Sequence, residues 1–290
     1  MQKYAVPLTA LAALATASCA RASADEGTYV DAGVRTTSAL ATMPREPIPG
    51  PIPAAVAPAP SAQPVAACPE GMLLVDGDYC PDVEQRCLEW MDPPGSTYEH
   101  FRCKRYAQPA TCHGKRVHKR FCIDAIERTE DGSDLPRNRM SWTASTALCE
   151  AAGARLCKTS EWQFACEGEE MRPYPYGWER DATACNVDVM TGLGKVGGLV
   201  DHRTPASAHP RCVSPFGVHD MAGNVDEWAT VDGLPRGKRE VMKGSWWLPG
   251  RHACRSGQGG HGASYGGTES GARCCADAAP DTESSQSASR

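Results

Sequence analysis

Cysteine is the residue type with the widest chemical reach in this 290-residue chain, because a thiolate can bind soft metals, attack a substrate or form a disulfide. There are 15 cysteines, and all except Cys19 lie between Cys68 and Cys275. Zinc sites use thiolates paired at short spacing, yet no CxxC pair occurs and only Cys274 and Cys275 lie close together. Without Cys19 the number is even, as in a disulfide framework. The pattern therefore predicts structural disulfides if the chain reaches an oxidising compartment.

The N-terminus has the layout of a secretory signal. A short positive start at 1–3 precedes an apolar run at 4–17, which is shorter than the ~20 residues of a membrane-spanning helix. Two processing sites follow: 22–24 is an A-x-A site for ordinary cleavage, whereas 16–19 resembles a bacterial lipobox that ends at Cys19. Lipidation would account for the one cysteine outside the even set. We therefore expect export, with a lipid anchor at Cys19 in the periplasm or at the cell surface favoured over free secretion.

Composition divides the chain into four parts. The signal occupies 1–24. Residues 25–67 lack any apolar period and hold eight prolines between 44 and 64, which predicts a disordered, semi-rigid Pro/Ala-rich tether. Residues 278–290 are rich in Ser, Ala and charged residues, which predicts a disordered tail. One disulfide-stapled domain, 68–277, lies between the tether and the tail.

The overall charge excludes one class of partner. A formal net charge of −5 and an isoelectric point near 5.9 give no general attraction to nucleic acid, and we expect no nucleic-acid partner. The basic run at 115–120 is the local exception, and a solvated basic loop is favoured there over a partner-binding patch. Contact with a membrane is therefore expected only through the lipid anchor.

Local patterns within the domain predict an α+β fold. The run 71–77 predicts a strand that ends in an Asp-Gly turn. Ser141 is placed to begin a helix that Gly153 ends, and the run 160–163 matches a capping box at the start of a second helix. Beyond Gly177 the chain is Gly-rich, which predicts long loops. Further short strands are predicted at 121–126, near 241–247 and near 272–275.

A set of motifs then points to a family. In chain order they are Met140-Ser141-Trp142 with Ala147 and Cys149; Gly153-Ala154-Arg155-Leu156 with Glu161-Trp162; Tyr174-Pro175-Tyr176-Gly177; Cys185-Asn186; the run 214–221; Gly223-Asn224-Val225 with Glu227-Trp228; Lys243-Gly244-Ser245-Trp246; and Gly271-Ala272-Arg273. Taken together, the ordered set resembles the formylglycine-generating enzyme, or sulfatase-modifying factor, family over about 120–277. The resemblance implies a C-type-lectin-like α+β fold that is loop-rich and disulfide-stapled.

The resemblance also implies two disulfides. Family members with disulfides join the first helix to the last strand, here Cys149 to Cys274, and the second helix to the strand after the Gly-Ser motif, here Cys166 to Cys254. Adjacent residues of a strand point to opposite faces, so Cys275 is expected to have a different partner from Cys274. The remaining pairings stay open.

The copper chemistry of the family does not carry over. Its enzymes oxidise a substrate cysteine to formylglycine with oxygen and copper(I), a soft ion that two cysteines hold. Leu248 stands where the first of these cysteines would be, the second has no counterpart, and Cys254 matches the bridging cysteine. Asp226 replaces a tryptophan of the family. We therefore expect no copper and a non-catalytic binding or structural module, with a protein or glycan partner at the cell surface. The alternative is a formylglycine-generating oxidase acting on a sulfatase cysteine.

The resemblance further implies structural calcium, an ion that prefers hard oxygen ligands from a bent loop. One family site falls on Asp220 and Glu227 through their carboxylates and on Gly223 and Val225 through their carbonyls. A second would begin at Asn186 and Val187, with Asp188 and Asp201 as further possibilities.

Two other groups of side chains could hold a ligand. His252 and His261 flank a Gly-rich loop that carries Tyr265, and the three could bind a metal or a polar ligand; a plain surface loop is favoured. Trp246 and Trp247 could line a binding site, although burial in the core is favoured for both.

Overall fold

The computed structural model describes residues 66–191, 199–235 and 237–280, all of which belong to one compact unit, Pro60–Arg290. The predicted signal with Cys19, the tether as far as residue 65 and the tail from residue 281 lie outside the described residues. No helix in the described part of the chain is long and apolar enough to span a bilayer. The described elements are β1 Met72–Tyr79, β2 Val83–Glu84, β3 Cys87–Trp90, β4 Cys103–Tyr106, β5 Thr111–Cys112, β6 Val117–Asp124, α1 Trp142–Ala151, β7 Arg155–Leu156, α2 Thr159–Glu167, β8 Asp226–Thr230, β9 Glu240–Lys243, β10 Gly257–Gln258, β11 Ser270–Ala272 and β12 Cys274–Asp277.

These strands form two four-stranded sheets and two short ribbons. The first sheet has the order β1-β6-β12-β7 and is antiparallel throughout. The second has the order β10-β9-β8-β11, in which β11 runs parallel to β8 and places Ser270 opposite Asp226. The ribbons β2–β5 and β3–β4 belong to the N-terminal part of the domain. The α+β class is therefore confirmed, and the long segment between α2 and β8 makes the fold loop-rich, as expected.

Each helix contacts strands of both sheets. α1 begins after Ser141, whose Oγ accepts a hydrogen bond from the Ala144 amide at 3.1 Å, as predicted. Its Trp142 joins a buried cluster with Trp228 of the second sheet. In α2, Trp162 and Phe164 are fully buried in a cluster with residues of β1 and β6. The two helices thus close the core against both sheets.

The predicted start of α2 was wrong. The helix begins at Thr159, and the residue before it is Lys158, whose backbone amide donates to Glu161 Oε2 at 2.8 Å. Ser160 lies inside the helix, where its Oγ donates to Asp232 at 2.9 Å. A serine followed by an acidic residue resembled a cap, but the hydrogen bond that marks the helix start is donated by the Lys158 amide to the Glu161 carboxylate.

The predicted Asp-Gly turn at the end of the first strand was also wrong, because β1 continues through Gly77 to Tyr79. The strand is held by a residue that follows α2, because Glu169 Oε1 accepts a hydrogen bond from the Asp78 amide at 2.8 Å. A Cβ on Gly77 would lie 2.7 Å from the same oxygen. The glycine is therefore explained by the close approach of a long-range partner and not by a turn.

Seven disulfides staple the domain, and they pair all fourteen cysteines of the described residues. Both bridges implied by the resemblance are present, Cys149–Cys274 and Cys166–Cys254. Cys275 pairs with Cys157, so the adjacent cysteines of β12 do have different partners. The other four bridges are Cys68–Cys122, Cys80–Cys112, Cys87–Cys103 and Cys185–Cys212. Two of these four involve the N-terminal ribbons: Cys80–Cys112 reaches β5, and Cys87–Cys103 joins the strands of the β3–β4 hairpin that reaches the candidate site.

Candidate functional site

A cleft of about 410 Å³ opens beside the second sheet. The residues that give it chemical character are a buried acid, two aromatic side chains, an exposed arginine and two polar side chains: Asp226, Phe101, Trp246, Arg251, Ser245 and Gln258. They come from three separate parts of the chain: the β3–β4 hairpin, the start of β8, and the segment that runs from the end of β9 through β10. The cleft is thus a product of the tertiary fold.

The loop after β9 forms one wall because the strand ends early. A strand was predicted near 241–247, but β9 stops at Lys243, and Gly244 and Ser245 have φ of 87° and 64°. These left-handed conformations turn the chain out of the sheet and carry Trp246 over the cleft. A Cβ on Gly250 would lie 2.5 Å from Ser245 Oγ, so the loop closes tightly on itself. Trp246 is half-buried in this wall, whereas Trp247 is fully buried.

Asp226 forms the floor of the cleft and is only 1% exposed. Its backbone amide donates to Glu269 O at 2.8 Å, which fixes the first residue of β8 beside the segment that enters β11. Its side-chain Oδ2 has no hydrogen-bond partner among the described residues. Burial, followed by the nearby Glu269 charge, raises the pKa of Asp226 to about 8. An empty cleft therefore keeps this acid mostly protonated at neutral pH.

Glu269 is the second buried acid at this place and is 5% exposed. The Tyr265 hydroxyl donates to its Oε1 at 2.5 Å, and this bond to the carboxylate raises the pKa of Tyr265 to about 12. Glu269 Oε2, like Asp226 Oδ2, lacks a partner among the described residues. Two carboxyl groups thus lie close together with one unpaired oxygen each.

Lys243 is the nearby buried cation and is 1% exposed. Its Nζ lies 5.2 Å from the centroid of the Trp162 ring and donates to the Ser256 carbonyl, not to either carboxylate. Burial lowers the pKa of Lys243 to about 7. The lysine therefore moderates the acidic floor without pairing with it.

His252 holds the Trp246 wall in place and is buried, whereas the Gly-rich loop that it flanks, 256–267, lies at the surface as expected. The histidine is 1% exposed, and its Nε2 lies 2.8 Å from Trp246 O while its Nδ1 lies 2.8 Å from Arg180 Nη2. Arginine is always a donor, so Nδ1 accepts and Nε2–H donates. Burial, and then the Arg180 charge, lower the pKa of His252 to about 4. A neutral ring with both nitrogens engaged has no site left for a metal.

The other two members of that predicted ligand group do come together. The rings of His261 and Tyr265 stack with centroids 3.9 Å apart, and His261 Nε2 lies 3.0 Å from Gln258 Nε2. Because the Tyr265 hydroxyl is committed to Glu269, this pair braces the loop over the cleft.

The mouth of the cleft carries a contribution from the N-terminal part of the domain. Phe101 follows β3 and is held close to β4, and the exposed Arg251 guanidinium lies 4.7 Å from the centroid of its ring. Sequence reasoning missed Phe101, Arg251 and Glu269 as site residues. It noted Asp226 only as a departure from the family pattern, although a carboxyl in the place of a core tryptophan was a signal.

The residues expected to bind calcium lie at a buried turn just before β8 and at its second residue, Glu227, whose surroundings do not fit such an ion. Its carboxylate accepts three hydrogen bonds from Arg273 at 2.7–3.0 Å and one from Trp162 Nε1 at 2.6 Å. Both Glu227 and Arg273 are essentially fully buried. The guanidinium already supplies the positive charge that this carboxylate requires. Among the described residues, no group of three or more His, Cys, Asp or Glu side chains is arranged to hold a metal.

Asp220 has one oxygen to spare. Its Oδ2 accepts from the Ser207 amide at 2.6 Å, whereas its buried Oδ1 has no partner among the described residues. A third buried acid that the sequence did not reveal, Glu127, accepts from Asn224 Nδ2 at 2.7 Å. Burial, together with the charges of Asp220 and Glu227, raises the pKa of Glu127 well above its usual range. The acids of this turn thus accept hydrogen bonds from protein donors, apart from Asp220 Oδ1.

The second group of predicted calcium ligands adjoins the first. A Cβ on Gly223, where φ is 85°, would lie 2.2 Å from the Asn186 carbonyl oxygen, which accepts the Asn224 amide at 2.9 Å. Val187 packs in an apolar cluster with the Cys185–Cys212 bridge. Both further candidates are ion-paired, Asp188 with Arg180 at 2.7 Å and Asp201 with Arg203 at 2.8 Å.

The described residues do not fit a copper(I) site. Every cysteine among them is in a disulfide, so no thiolate is free to ligate the ion. Leu248, at the position of a copper ligand in the family, lies in the wall loop and does not line the cleft.

Comparison with known proteins shows the family of the domain. The family model for the sulfatase-modifying factor enzyme 1-like domain matches residues 90–278. The chain is 28% identical over 120 residues to the inactive C-alpha-formylglycine-generating enzyme 2 of Mus musculus, covering 40% of this chain and 38% of that protein. It is 32% identical over 102 residues to the hercynine oxygenase of Mycobacterium tuberculosis, covering 34% of this chain and 22% of that protein.

The chain therefore spans 22–38% of the length of these two curated relatives. The crystal structure of CarF matches with a TM-score of 0.48 at 16% identity, covering 71% of this chain and 97% of that chain. The family model spans most of the disulfide-stapled domain and includes both four-stranded sheets apart from β1. This chain belongs to the family of sulfatase-modifying factor enzyme 1-like domains.

Proposed function

We propose that this chain is an exported, lipid-anchored member of the family that acts as a non-catalytic binding or structural module. The observation that carries the proposal is the pairing of all fourteen cysteines of the described residues in seven disulfides. Copper(I) oxidation of a substrate cysteine needs free thiolates at the metal, and the first such position is Leu248. The fold of the family is thus retained, but every cysteine of the described residues is in a disulfide and none can serve as a ligand for oxidase chemistry.

Export and anchoring are supported by different observations. Seven disulfides require an oxidising compartment to form and persist. The lipobox-like run that ends at Cys19 supports attachment to a membrane of the periplasm or the cell surface. The Pro-rich run at 44–64 would then hold the domain away from that membrane, at ~3.1 Å per residue in an extended chain.

A surface partner is supported by the cleft and by the relatives. The mouse relative is named as an inactive formylglycine-generating enzyme, so loss of oxidase activity on this scaffold has a parallel. In this chain the cleft has an acidic floor and aromatic walls, which suit recognition of a protein or glycan better than oxidation of a thiol. The exposed hairpin residues Trp90 and Tyr98 extend the contact surface next to Phe101.

Structural calcium remains a separate proposal, limited to the Asp220 side of the turn, because Arg273 occupies Glu227. A calcium titration of the chelator-treated protein, followed by thermal unfolding, tests it. A rise in melting temperature that Asp220→Asn abolishes would support the ion, whereas an unchanged melting temperature would refute it.

The proposed function is tested by counting free thiols on the purified, non-reduced mature protein, by alkylation and intact mass, with copper measured alongside. We expect no free thiol in the domain, no bound copper and no oxidation of a sulfatase-type cysteine peptide. Two free thiols with stoichiometric copper and turnover of that peptide would instead establish a formylglycine-generating oxidase.

A further inference from the structure

Asp226 lines the cleft, and Glu269, which does not line it, is a neighbouring buried acid; around the floor these acids outnumber the buried bases. Asp226 and Glu269 each have one carboxyl oxygen without a partner among the described residues. The only cation that acts on Asp226 from the packed strand β9 is Lys243, and its ammonium donates to a backbone carbonyl. The other nearby acid, Glu227, is already neutralised by Arg273. Two acids therefore share one unpaired cation, which leaves the floor one positive charge short when both are ionised.

The walls of the cleft suit a cation on a flexible chain. Trp246 lines one side, and an indole ring attracts ammonium and guanidinium groups through its face. The cleft, at about 410 Å³, has room for a long side chain, whereas a folded element is too large for it. Arg251 is the other cation that lines the cleft, and its guanidinium lies over the Phe101 ring at the mouth.

We propose that the cleft binds the cationic side chain, an arginine or a lysine, of a partner protein, with Asp226 as its counter-ion. This inference rests on the proposed function and names the partner chemistry of the binding module. It depends on the carboxyl group that this chain places where the family has a tryptophan, and so it is a property of this chain.

The proposal has a consequence for pH, because a cation pairs with the ionised form of Asp226. The groups that face this carboxyl are Glu269 from the segment before β11, Glu227 from its own strand, Lys243 from β9 and the Ser245 backbone. Since the pKa of Asp226 in the empty cleft is about 8, binding must release its proton at lower pH. Affinity should therefore rise about ten-fold per pH unit up to about pH 8 and then level off.

The test uses the mature protein and two matched probe peptides of the form acetyl-Gly-Gly-X-Gly-Gly-amide, with X either arginine or citrulline. Citrulline has nearly the shape of arginine but no charge, and arginine stays charged throughout the pH range used. We expect the arginine peptide to bind at least about ten-fold more tightly at pH 8.5, as measured by ligand-observed NMR titration. The Asp226→Asn variant should lose this difference, whereas Asp131→Asn, at a side chain that is 97% exposed, should retain it.

Equal binding of both peptides, or an arginine affinity that is flat from about pH 6 to pH 9, would overturn the inference. The wild-type pH profile is decisive even if the Asn variant folds poorly. Binding of N-acetylglucosamine without binding of either peptide would also overturn it, while leaving a binding module with a glycan partner. Oxidation of a sulfatase-type cysteine peptide by the same preparation would instead refute the proposed non-catalytic function, which is a different outcome.

Discussion

Replacing Asp226 by asparagine should change how the stability of the domain depends on pH. The pKa of this acid moves from an ordinary value of 3.8 to about 8 in the folded protein. Between these values the folded state binds a proton that the unfolded state does not, so wild-type stability falls as pH rises from about 4 to about 8. At ~1.36 kcal/mol per pH unit, the loss between about pH 5 and about pH 8 amounts to ~4 kcal/mol at most, because relaxation and water entry on ionisation reduce it.

Asparagine cannot ionise, and it resembles the protonated acid in shape. The variant should therefore match the wild type at about pH 5 and be more stable by up to ~4 kcal/mol at about pH 8. Lys243 contributes with the opposite sign: its pKa is lowered to about 7, so the stability that it costs is recovered as pH rises above that value. Both proteins contain this lysine, so the difference between them reports mainly on Asp226 and on its interaction with Lys243.

The assay is urea unfolding under non-reducing conditions, followed by tryptophan fluorescence, at three pH values across this range. Asp131→Asn, at an exposed acid, is the matched control and should follow the wild-type profile. Parallel profiles for the wild type and Asp226→Asn would show that the buried carboxyl holds no extra proton, and the account of the cleft floor would fail.

Three further substitutions test the scaffold that positions the cleft. Arg273→Met leaves the buried Glu227 carboxylate without its cation and should lower the free energy of unfolding by ~3–5 kcal/mol, measured by urea unfolding. Replacing both Cys149 and Cys274 by alanine opens a bridge with a sequence separation of 125 and should cost ~5 kcal/mol under non-reducing conditions. Gly223→Ala places a Cβ 2.2 Å from a backbone oxygen. A left-handed conformation alone costs an alanine ~1–2 kcal/mol, and the clash should lower the free energy of unfolding, and with it the melting temperature, by more than that.

Each of these has its own control. Glu227→Gln added to Arg273→Met should recover part of the lost stability, and no recovery would mean that the arginine acts through other contacts. Gly153→Ala has φ of 69° but nothing within 4 Å of the added Cβ, so it reports the conformational cost without a clash. An equal loss for Gly153→Ala and Gly223→Ala would contradict the steric argument. A double cysteine variant as stable as the wild type would contradict the chain-entropy estimate for the bridge.

Two kinds of feature were predictable from the sequence: those set by residues close together in the chain, and those implied by the order of the family motifs. The start of α1 at Ser141 follows from a hydrogen bond that spans only three residues. The two disulfides implied by the resemblance are present because the ordered motifs bring the same helices and strands together. The α+β class follows in the same way, from short patterns that hold wherever they occur.

The sequence alone determined the class of fold, the resemblance to the family and two of the seven disulfides of the described residues; it also predicts an export signal and the loss of the copper ligands. Only the tertiary structure decided what Gly77, His252 and Asp226 do, since each depends on a partner more than 40 residues away: Glu169, Arg180 and Glu269. Burial and charge are set by such long-range neighbours, and they determine a pKa. For this reason the sequence showed Asp226 only as an exception to the family pattern. That it forms the floor of a cleft became evident only in the folded domain.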